Sequence, residues 1–384
     1  MAQRRLNGEG TVNKRQDGLW EARAIIEGKR KSFYGRTKRE AKDKMDLAVK
    51  QSQEGEYIED KRMSLSGWLD IWQETYLIQV KPSTAQRYES DIRLHIRPGI
   101  GRYKLVELTP QIIQRFYNKL IKDGMSPKSL RNVHGVLHKC LEKAFDLGYI
   151  LSNPSCKCDL PKVFKKEMSP LTDQSIPKFL EAIQGDMYAD LYYFALFTGM
   201  RLGEVVGLTW DSVDFNRMQI KVYHQMQRDH TYHGTGRHRP NIYTLTTLKN
   251  GKSRVVSPAP QIFDLLRSVQ AKQEANRQKV GLLWQNAGGF VFTNEIGGHL
   301  APNTISNHFK SIVRRIGLPQ TRFHDLRHTF ATISLENGDD IKTVSEMLGH
   351  ATTAFTMDIY GHVSDKMRKQ SASRMEAFIN TLEK

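Results

Sequence analysis

The sequence predicts an α+β protein of several domains: a small three-stranded sheet domain, a helical domain, and a mainly α domain containing a small antiparallel sheet. Three observations predict this. Short strand-like runs lie near the N-terminus, a long central stretch repeats apolar residues every three or four positions, and further strand-like runs interrupt a second helical region. Because 384 residues exceed what one core normally serves, we expect three domains, at residues 1–60, 61–160 and 161–384.

The first domain is predicted from three strand-like runs within residues 11–35, with a turn at Asp17-Gly18. A helix follows, with Thr37 as its N-cap and Glu40 as the second residue of a capping box. Lysine and arginine crowd this segment, so we interpret the sheet as a contact surface for nucleic acid. A solvated basic surface without a partner is the alternative.

The sequence of the second domain predicts four helices. Its first helix shows apolar residues at helical spacing, and these are expected to form the core: Leu65, Trp68, Leu69, Trp72 and Tyr76. Residues 153–170 contain three prolines and little periodicity, which indicates a linker to the third domain.

Charge and cysteine content restrict the class of protein. Lys and Arg total 58 against 41 acidic residues, a net charge of +17, which favours a polyanionic partner, nucleic acid ahead of a membrane surface. The three cysteines, Cys140, Cys156 and Cys158, are too few for a disulfide framework or a cysteine-based zinc site, and a reducing cytoplasm is expected. No apolar run approaches the length of a membrane span.

Two motifs of the third domain present arginines near helix starts. In TGMRLGE a helix ends at Gly199, and Arg201 begins the next turn with Glu204 three residues later. In HDLRHT, His324 and Arg327 share one face of a helix because they are three residues apart. Guanidinium and imidazole groups at these positions could bind a phosphate group. For the first motif, an ion pair between Arg201 and Glu204 is the alternative interpretation.

Two more motifs complete the set. A short helix ends at Gly349 of LGH, followed by His350, and Tyr360 comes ten residues later. The run TLKNGKSRVV predicts a β-hairpin turning at Asn250-Gly251, with Lys249 and Lys252 at its tip.

Taken together and in this order, the motifs resemble the tyrosine recombinase (phage integrase) family. The resemblance implies an AP2-like arm-binding domain, a SAM-like core-binding domain and a catalytic domain. It also implies a site-specific recombinase that cuts and rejoins DNA through a 3′-phosphotyrosine and needs no cofactor or metal. The implied site residues are Arg201, Lys249, His324, Arg327, His350 and Tyr360, with Lys252 as the alternative lysine.

Elementary chemistry assigns a role to each residue type. Phosphodiester cleavage passes through a five-coordinate, negatively charged transition state. The guanidinium groups of Arg201 and Arg327 and a hydrogen bond from His350 can stabilise this charge. A tyrosine hydroxyl has a pKa of about 10, so a base must take its proton, and His324 is the candidate. Lys249 is expected to protonate the leaving 5′ oxygen.

The family resemblance also implies partners. These are double-stranded DNA with inverted-repeat core sites and separate arm sites, a homotetramer on DNA, an excisionase and a DNA-bending host protein. The helix predicted over 364–384 packs either on its own domain or on a neighbouring protomer.

Two rival functions remain: a type IB topoisomerase and a DNA-binding regulator without catalysis. A zinc site at His230, His233 and His238 is disfavoured, since glycines mark a loop there.

Overall fold

The computed structural model describes residues 10–26, 29–53, 62–164, 170–229, 242–248, 251–349, 352–353, 357 and 365–382. The chain divides into two compact units, Met1–Lys165 and Lys166–Lys384. None of the described helices combines the length and the apolarity that crossing a membrane requires.

The first unit begins with the predicted antiparallel sheet. Its strands are β1 (Thr11–Lys14), β2 (Trp20–Ile26) and β3 (Lys29–Gly35), in the order β1-β2-β3, followed by helix α1 (Lys38–Gln53). Every second residue of β2 faces the helix, and this small core consists of Ala22, Ala24, Ile26, Ala41, Met45 and Ala48.

The predicted cap of α1 is present with one difference. The Thr37 hydroxyl accepts from the Glu40 backbone nitrogen at 3.1 Å. The Glu40 carboxylate, however, accepts from the backbone nitrogen of Arg36 at 2.8 Å, one residue before the nitrogen that a capping box would use.

The remainder of the first unit is the predicted helical bundle. Its helices are α2 (Leu65–Tyr76), α3 (Pro82–Asp91), α4 (Arg97–Ile100), α5 (Pro110–Lys122) and α6 (Pro127–Asp146). A π-helical turn at Ile92–Ile96 joins α3 to α4, where Pro98 lacks the N–H that would continue the regular ladder. Trp68 is fully buried, and its indole donates to the carbonyl of Cys140 at 2.9 Å, so it belongs to the core as predicted.

The second unit is mainly helical around two short sheets. Its helices are α7 (Ser175–Ala182), α8 (Ala189–Thr198), α9 (Leu202–Val206), α10 (Pro260–Val280), α11 (Pro302–Arg315), α12 (Phe323–Glu336), α13 (Ile341–Leu348) and α14 (Asp365–Leu382). Helix α8 is apolar on most sides and forms the centre of the core, where Tyr192 and Phe194 are fully buried.

The strands of this unit correct one prediction. They are β4 (Val213–Asp214), β5 (Gln219–Val222), β6 (His224–Arg228), β7 (Tyr243–Thr247) and β8 (Arg254–Val256). The predicted hairpin would pair β7 with β8, but β7 pairs with β6, and β8 pairs with β5.

The pairing follows from apolar register. Strands β5 and β6 run almost continuously, with only Tyr223 between them, whereas six residues separate β7 from β8 in the sequence. Ile220 pairs with Val256, and both are fully buried, which fixes the register from outside the turn. The Asn-Gly signal therefore does not mark a hairpin between β7 and β8, although Gly251 has a positive φ of 67°.

Candidate active site

A glycine turn places Arg201 at the start of a helix. Helix α8 ends at Gly199 in the left-handed region, with a φ of 63°, and Arg201 is the N-cap of α9. A Cβ on Gly199 would lie 2.5 Å from the ring of Phe330, so both backbone conformation and space require glycine. The predicted break between the two helices is therefore confirmed.

Two arginines hold the carboxylate of Glu204, which is 1% exposed. Arg254 donates from its two Nη atoms, at 3.0 Å to Oε1 and 2.6 Å to Oε2. Arg201 donates from Nη1 to Oε1 at 2.8 Å and from its backbone nitrogen to Oε2 at 2.9 Å. Burial alone would raise the pKa of Glu204, but the hydrogen bonds and charges of the arginines lower it to about 2. The carboxylate is ionised, and the pairing of Arg201 with Glu204 exists.

Arg327 joins the ends of two helices. Its side chain is buried, with Nη1 donating to the carbonyl of Gly199 at 2.9 Å and Nη2 to the carbonyl of Leu348 at 2.5 Å. These carbonyls stand at the C-terminal ends of α8 and α13, where a cation is electrostatically favoured. A single guanidinium thus fixes the distance between the Gly199 turn and the Leu348 turn.

His324 lies in the first turn of α12 and is open to solvent. The part of its ring that faces the protein loses hydration. That loss, followed by the charges of His328 and Arg327, lowers its pKa from 6.5 to about 4. His328 lies edge-on to it, with ring centroids 4.9 Å apart. His324 is therefore neutral near pH 7 and has a free nitrogen lone pair.

The structure brings the three described candidates to one place. Arg201 donates from Nη2 to the carbonyl of Gly349 at 3.2 Å, next to the Leu348 carbonyl that Arg327 contacts. His324 is on the same helix as Arg327, and the charges of both arginines act on its pKa. The two arginine side chains therefore meet at the turn that ends α13, and His324 lies close enough to both for their charges to act on it.

Of the remaining candidates, the structure describes only the alternative lysine. His350, Tyr360 and Lys249 lie outside the described residues, as do the three histidines of the zinc alternative, His230, His233 and His238. Lys252, the alternative lysine, is described and is exposed.

Arg254 was not predicted from the sequence. It begins strand β8, and its side chain is 9% exposed. The sequence did contain one signal. An arginine at the start of an apolar strand is rarely buried without an acidic partner. Glu204 is an acidic residue with apolar neighbours in the sequence.

Three potential metal ligands cluster in the first unit. Atoms of His138, Glu142 and Cys156 that can bind a cation all lie within 4.8 Å of one another. The Asn153 side-chain nitrogen lies among them and donates to Glu142 at 2.6 Å and to the His138 carbonyl at 3.1 Å. Hydrogen bonding through Asn153 accounts for this arrangement.

Comparison with known proteins covers almost the whole chain. The sequence profile of the Phage integrase family matches residues 170–367, and that of the "Phage integrase, N-terminal SAM-like domain" matches residues 64–121. A "Tyrosine recombinase XerC-like" protein of Caldanaerobacter subterraneus subsp. tengcongensis is 30% identical over 357 residues, 90% of this chain and 91% of the relative. The ICEBs1 integrase of Bacillus subtilis is 24% identical, over 88% of this chain and 90% of that protein.

Solved structures show the same fold. The Tn1549 transposon integrase, in complex with a circular intermediate DNA, superposes with a TM-score of 0.66 at 21% identity, covering 82% of this chain and 99% of that one. A lambda integrase tetramer bound to a Holliday junction gives a TM-score of 0.59 at 19% identity, covering 94% and 99%. The chain belongs to the phage integrase family and is a tyrosine-type site-specific DNA recombinase.

Proposed function

We propose that this recombinase integrates and excises a mobile genetic element, with Tyr360 as the nucleophile of a site formed with Arg201, Lys249, His324, Arg327 and His350. The convergence of Arg201 and Arg327 on the turn at Leu348 and Gly349, directly before His350, is the observation that carries the proposal. Two fixed positive charges beside a histidine form a suitable site for one phosphodiester group.

In the proposed cleavage step, the phenol oxygen of Tyr360 attacks the scissile phosphorus, and the bond from phosphorus to the 5′ oxygen breaks. His324 accepts the phenolic proton, and protonated Lys249 gives a proton to the departing oxygen. Arg201, Arg327 and His350 stabilise the charge on the non-bridging oxygens. The lowered pKa of His324 supports its role as base, because the ring is neutral before DNA arrives.

The proposed joining step is the reverse reaction with a different strand. The 3′-phosphotyrosine retains the phosphoester bond energy, so a 5′ hydroxyl from another strand attacks the phosphorus and releases Tyr360. His324, now protonated, returns its proton to the phenolate oxygen of Tyr360, and Lys249, left neutral by the cleavage step, takes the proton of the attacking 5′ hydroxyl. The number of phosphoester bonds is conserved, and the scheme uses no nucleotide hydrolysis.

The DNA partners are proposed from domain organisation and from relatives. Residues 61–160 and 161–384 would both bind inverted-repeat core sites, and residues 1–60 would bind separate arm sites. The first domain has an apolar core distinct from that of the helical bundle, which supports a boundary near residue 60. Four protomers would act on two duplexes, as the lambda integrase tetramer on a Holliday junction suggests. An excisionase and a DNA-bending host protein are further proposed partners.

The testing experiment uses a nicked suicide substrate, in which cleavage traps the covalent complex. We expect the wild type to form a protein–DNA adduct on denaturing gels and Tyr360→Phe to form none, because the ring is retained and only the nucleophilic hydroxyl is lost. Tyr243→Phe, a substitution on strand β7, is the matched control and should form the adduct. An adduct with Tyr360→Phe would disprove the assignment, and none with the wild type would favour a DNA-binding regulator.

A further inference from the structure

We propose that Arg254 is a positioning residue that keeps Arg201 available for the scissile phosphate by occupying Glu204. The inference rests on the proposed function, in which Arg201 contacts that phosphate. Arg254 itself would touch neither DNA nor the reacting atoms, since its described nitrogen donors point to protein groups.

Each of the three guanidinium nitrogens of Arg254 has a protein acceptor. Both Nη atoms donate to the two oxygens of Glu204, and Nε donates to the carbonyl of Met347 at 2.7 Å. The side chain is 9% exposed, and the carboxylate that it holds is 1% exposed. A buried two-pronged ion pair of this kind has a fixed geometry.

Arg254 and Arg201 compete for the carboxylate of Glu204. With Arg254 on both carboxylate oxygens, the Arg201 side chain reaches the carboxylate through Nη1 alone and remains 39% exposed. If Arg254 were removed, the buried carboxylate would keep a single cation. Arg201 would then be drawn into a fork on Glu204, which would withdraw its donors and neutralise its charge.

Arg254 also connects the other parts of the site. It follows directly on the segment 249–253, which includes Lys249, and it holds the carbonyl of Met347 three residues before His350. A Cβ on Gly349 would lie 2.9 Å from Cδ of Arg254, so the side chain packs closely against that turn. One side chain thus joins Glu204 to the end of α13.

The experiment compares two suicide substrates with full-length protein. One carries the ordinary scissile phosphate, and in the other a methyl group replaces one non-bridging oxygen, so that the group is neutral and needs less positive charge. For Arg254→Met we expect adduct formation on the ordinary substrate to fall on the order of 100-fold, in the range for a lost transition-state donor. DNA affinity should be retained, and the defect should shrink markedly on the neutral substrate.

A second variant tests the competition directly. Adding Glu204→Gln to Arg254→Met should restore part of the rate on the ordinary substrate, because a neutral amide does not withdraw Arg201. Arg217→Met, which removes an exposed arginine near strand β5, is the control and should cleave both substrates as the wild type does. Where Arg254→Met fails to fold, Arg254→Lys should give an intermediate defect with the same dependence on substrate.

The outcomes separate the inference from the proposed function. Equal defects on both substrates, or no recovery with Glu204→Gln, would show that Arg254 is only structural and would overturn the inference. If Arg201→Ala cleaves the ordinary substrate at the wild-type rate, the assignment of Arg201 fails instead. A defect in Arg201→Ala that also shrinks on the neutral substrate would support both.

Discussion

At the scale of single residues, the two arginines of the site have different surroundings. Arg201 is 39% exposed and shares an acid with Arg254, whereas Arg327 is buried against two helix ends. Arg201 therefore suits direct contact with a ligand. Arg327 combines that proposed role with an architectural one, since its guanidinium holds the Gly199 and Leu348 turns together.

The lowered pKa of His324 predicts a pH dependence of stability. Its folded pKa of about 4 lies below the unfolded value of 6.5, so the unfolded chain binds more protons between these values. The associated stability is present above pH 6.5 and is lost as the pH falls towards 4. We expect His324→Gln to lose less unfolding free energy than the wild type between pH 7 and pH 5, measured by urea denaturation. An equal loss in both proteins would contradict the shifted pKa.

The proposed acid can be tested by changing the leaving group. Lys249→Ala should slow cleavage of an ordinary 5′ oxygen but spare a substrate with a bridging 5′ sulfur, because a thiolate leaves without a proton. Lys252→Ala, in the same segment, is the matched control and should cleave both at the wild-type rate. The reverse pattern would assign the acid to Lys252, and equal slowing of both substrates by Lys249→Ala would remove it from this role.

At the scale of elements, local signals predicted helix boundaries well. Thr109 and Ser126 each accept a hydrogen bond from a first-turn backbone nitrogen. Each is followed by a proline, and a Thr-Pro or Ser-Pro pair is a sequence signal for the start of a helix. Gly349 ends α13 in the left-handed region, as a glycine after an apolar helix predicts. Such interactions join residues a few positions apart, so they can be recognised in the sequence.

Long-range pairing was not predictable in the same way. The strands on either side of Asn250-Gly251 pair with β5 and β6 because buried residues fix the register, and that information is not contained in the turn. The same holds for the site. The motifs predicted Arg201, His324 and Arg327 as candidates, but not the contact of Arg254 with Glu204, 50 residues away. Similarly, spacing alone does not show that Arg327 binds the carbonyls of Gly199 and Leu348.

Helix α14 leads to a prediction about assembly. Its apolar side chains at Met375, Phe378, Ile379 and Leu382 are all exposed, although such a stripe normally packs against another surface. We expect a neighbouring protomer to cover it on DNA. Phe378→Ala should therefore weaken cooperative assembly, measured by native gel shifts on a substrate with two core sites, while single-site cleavage is retained.

The control for this prediction is Glu376→Ala, on the same exposed helix. It should assemble as the wild type does, since it removes no apolar area. If Phe378→Ala lowers the thermal stability of the isolated protein, or leaves assembly unchanged, the stripe does not mediate contact between protomers.

At the scale of the whole molecule, a net charge of +17 is distributed over a chain whose family acts on DNA. Each phosphate that a lysine or arginine neutralises releases condensed counterions, so affinity falls with a power of the salt concentration. The slope of log affinity against log salt therefore reports the number of phosphates in contact. This provides a measurement of how much of the chain binds DNA.

Removal of residues 1–60 should change that slope in a way that depends on the substrate. On DNA with arm and core sites, the full-length protein should show a steeper slope than the truncated one, because the basic sheet adds phosphate contacts. On a core site alone, the two proteins should have similar slopes, and the truncated protein should still form its covalent adduct. Fluorescence anisotropy over a series of salt concentrations measures both. Identical slopes on the long DNA, or loss of core-site cleavage after truncation, would show that the first domain is not a separate arm-binding module.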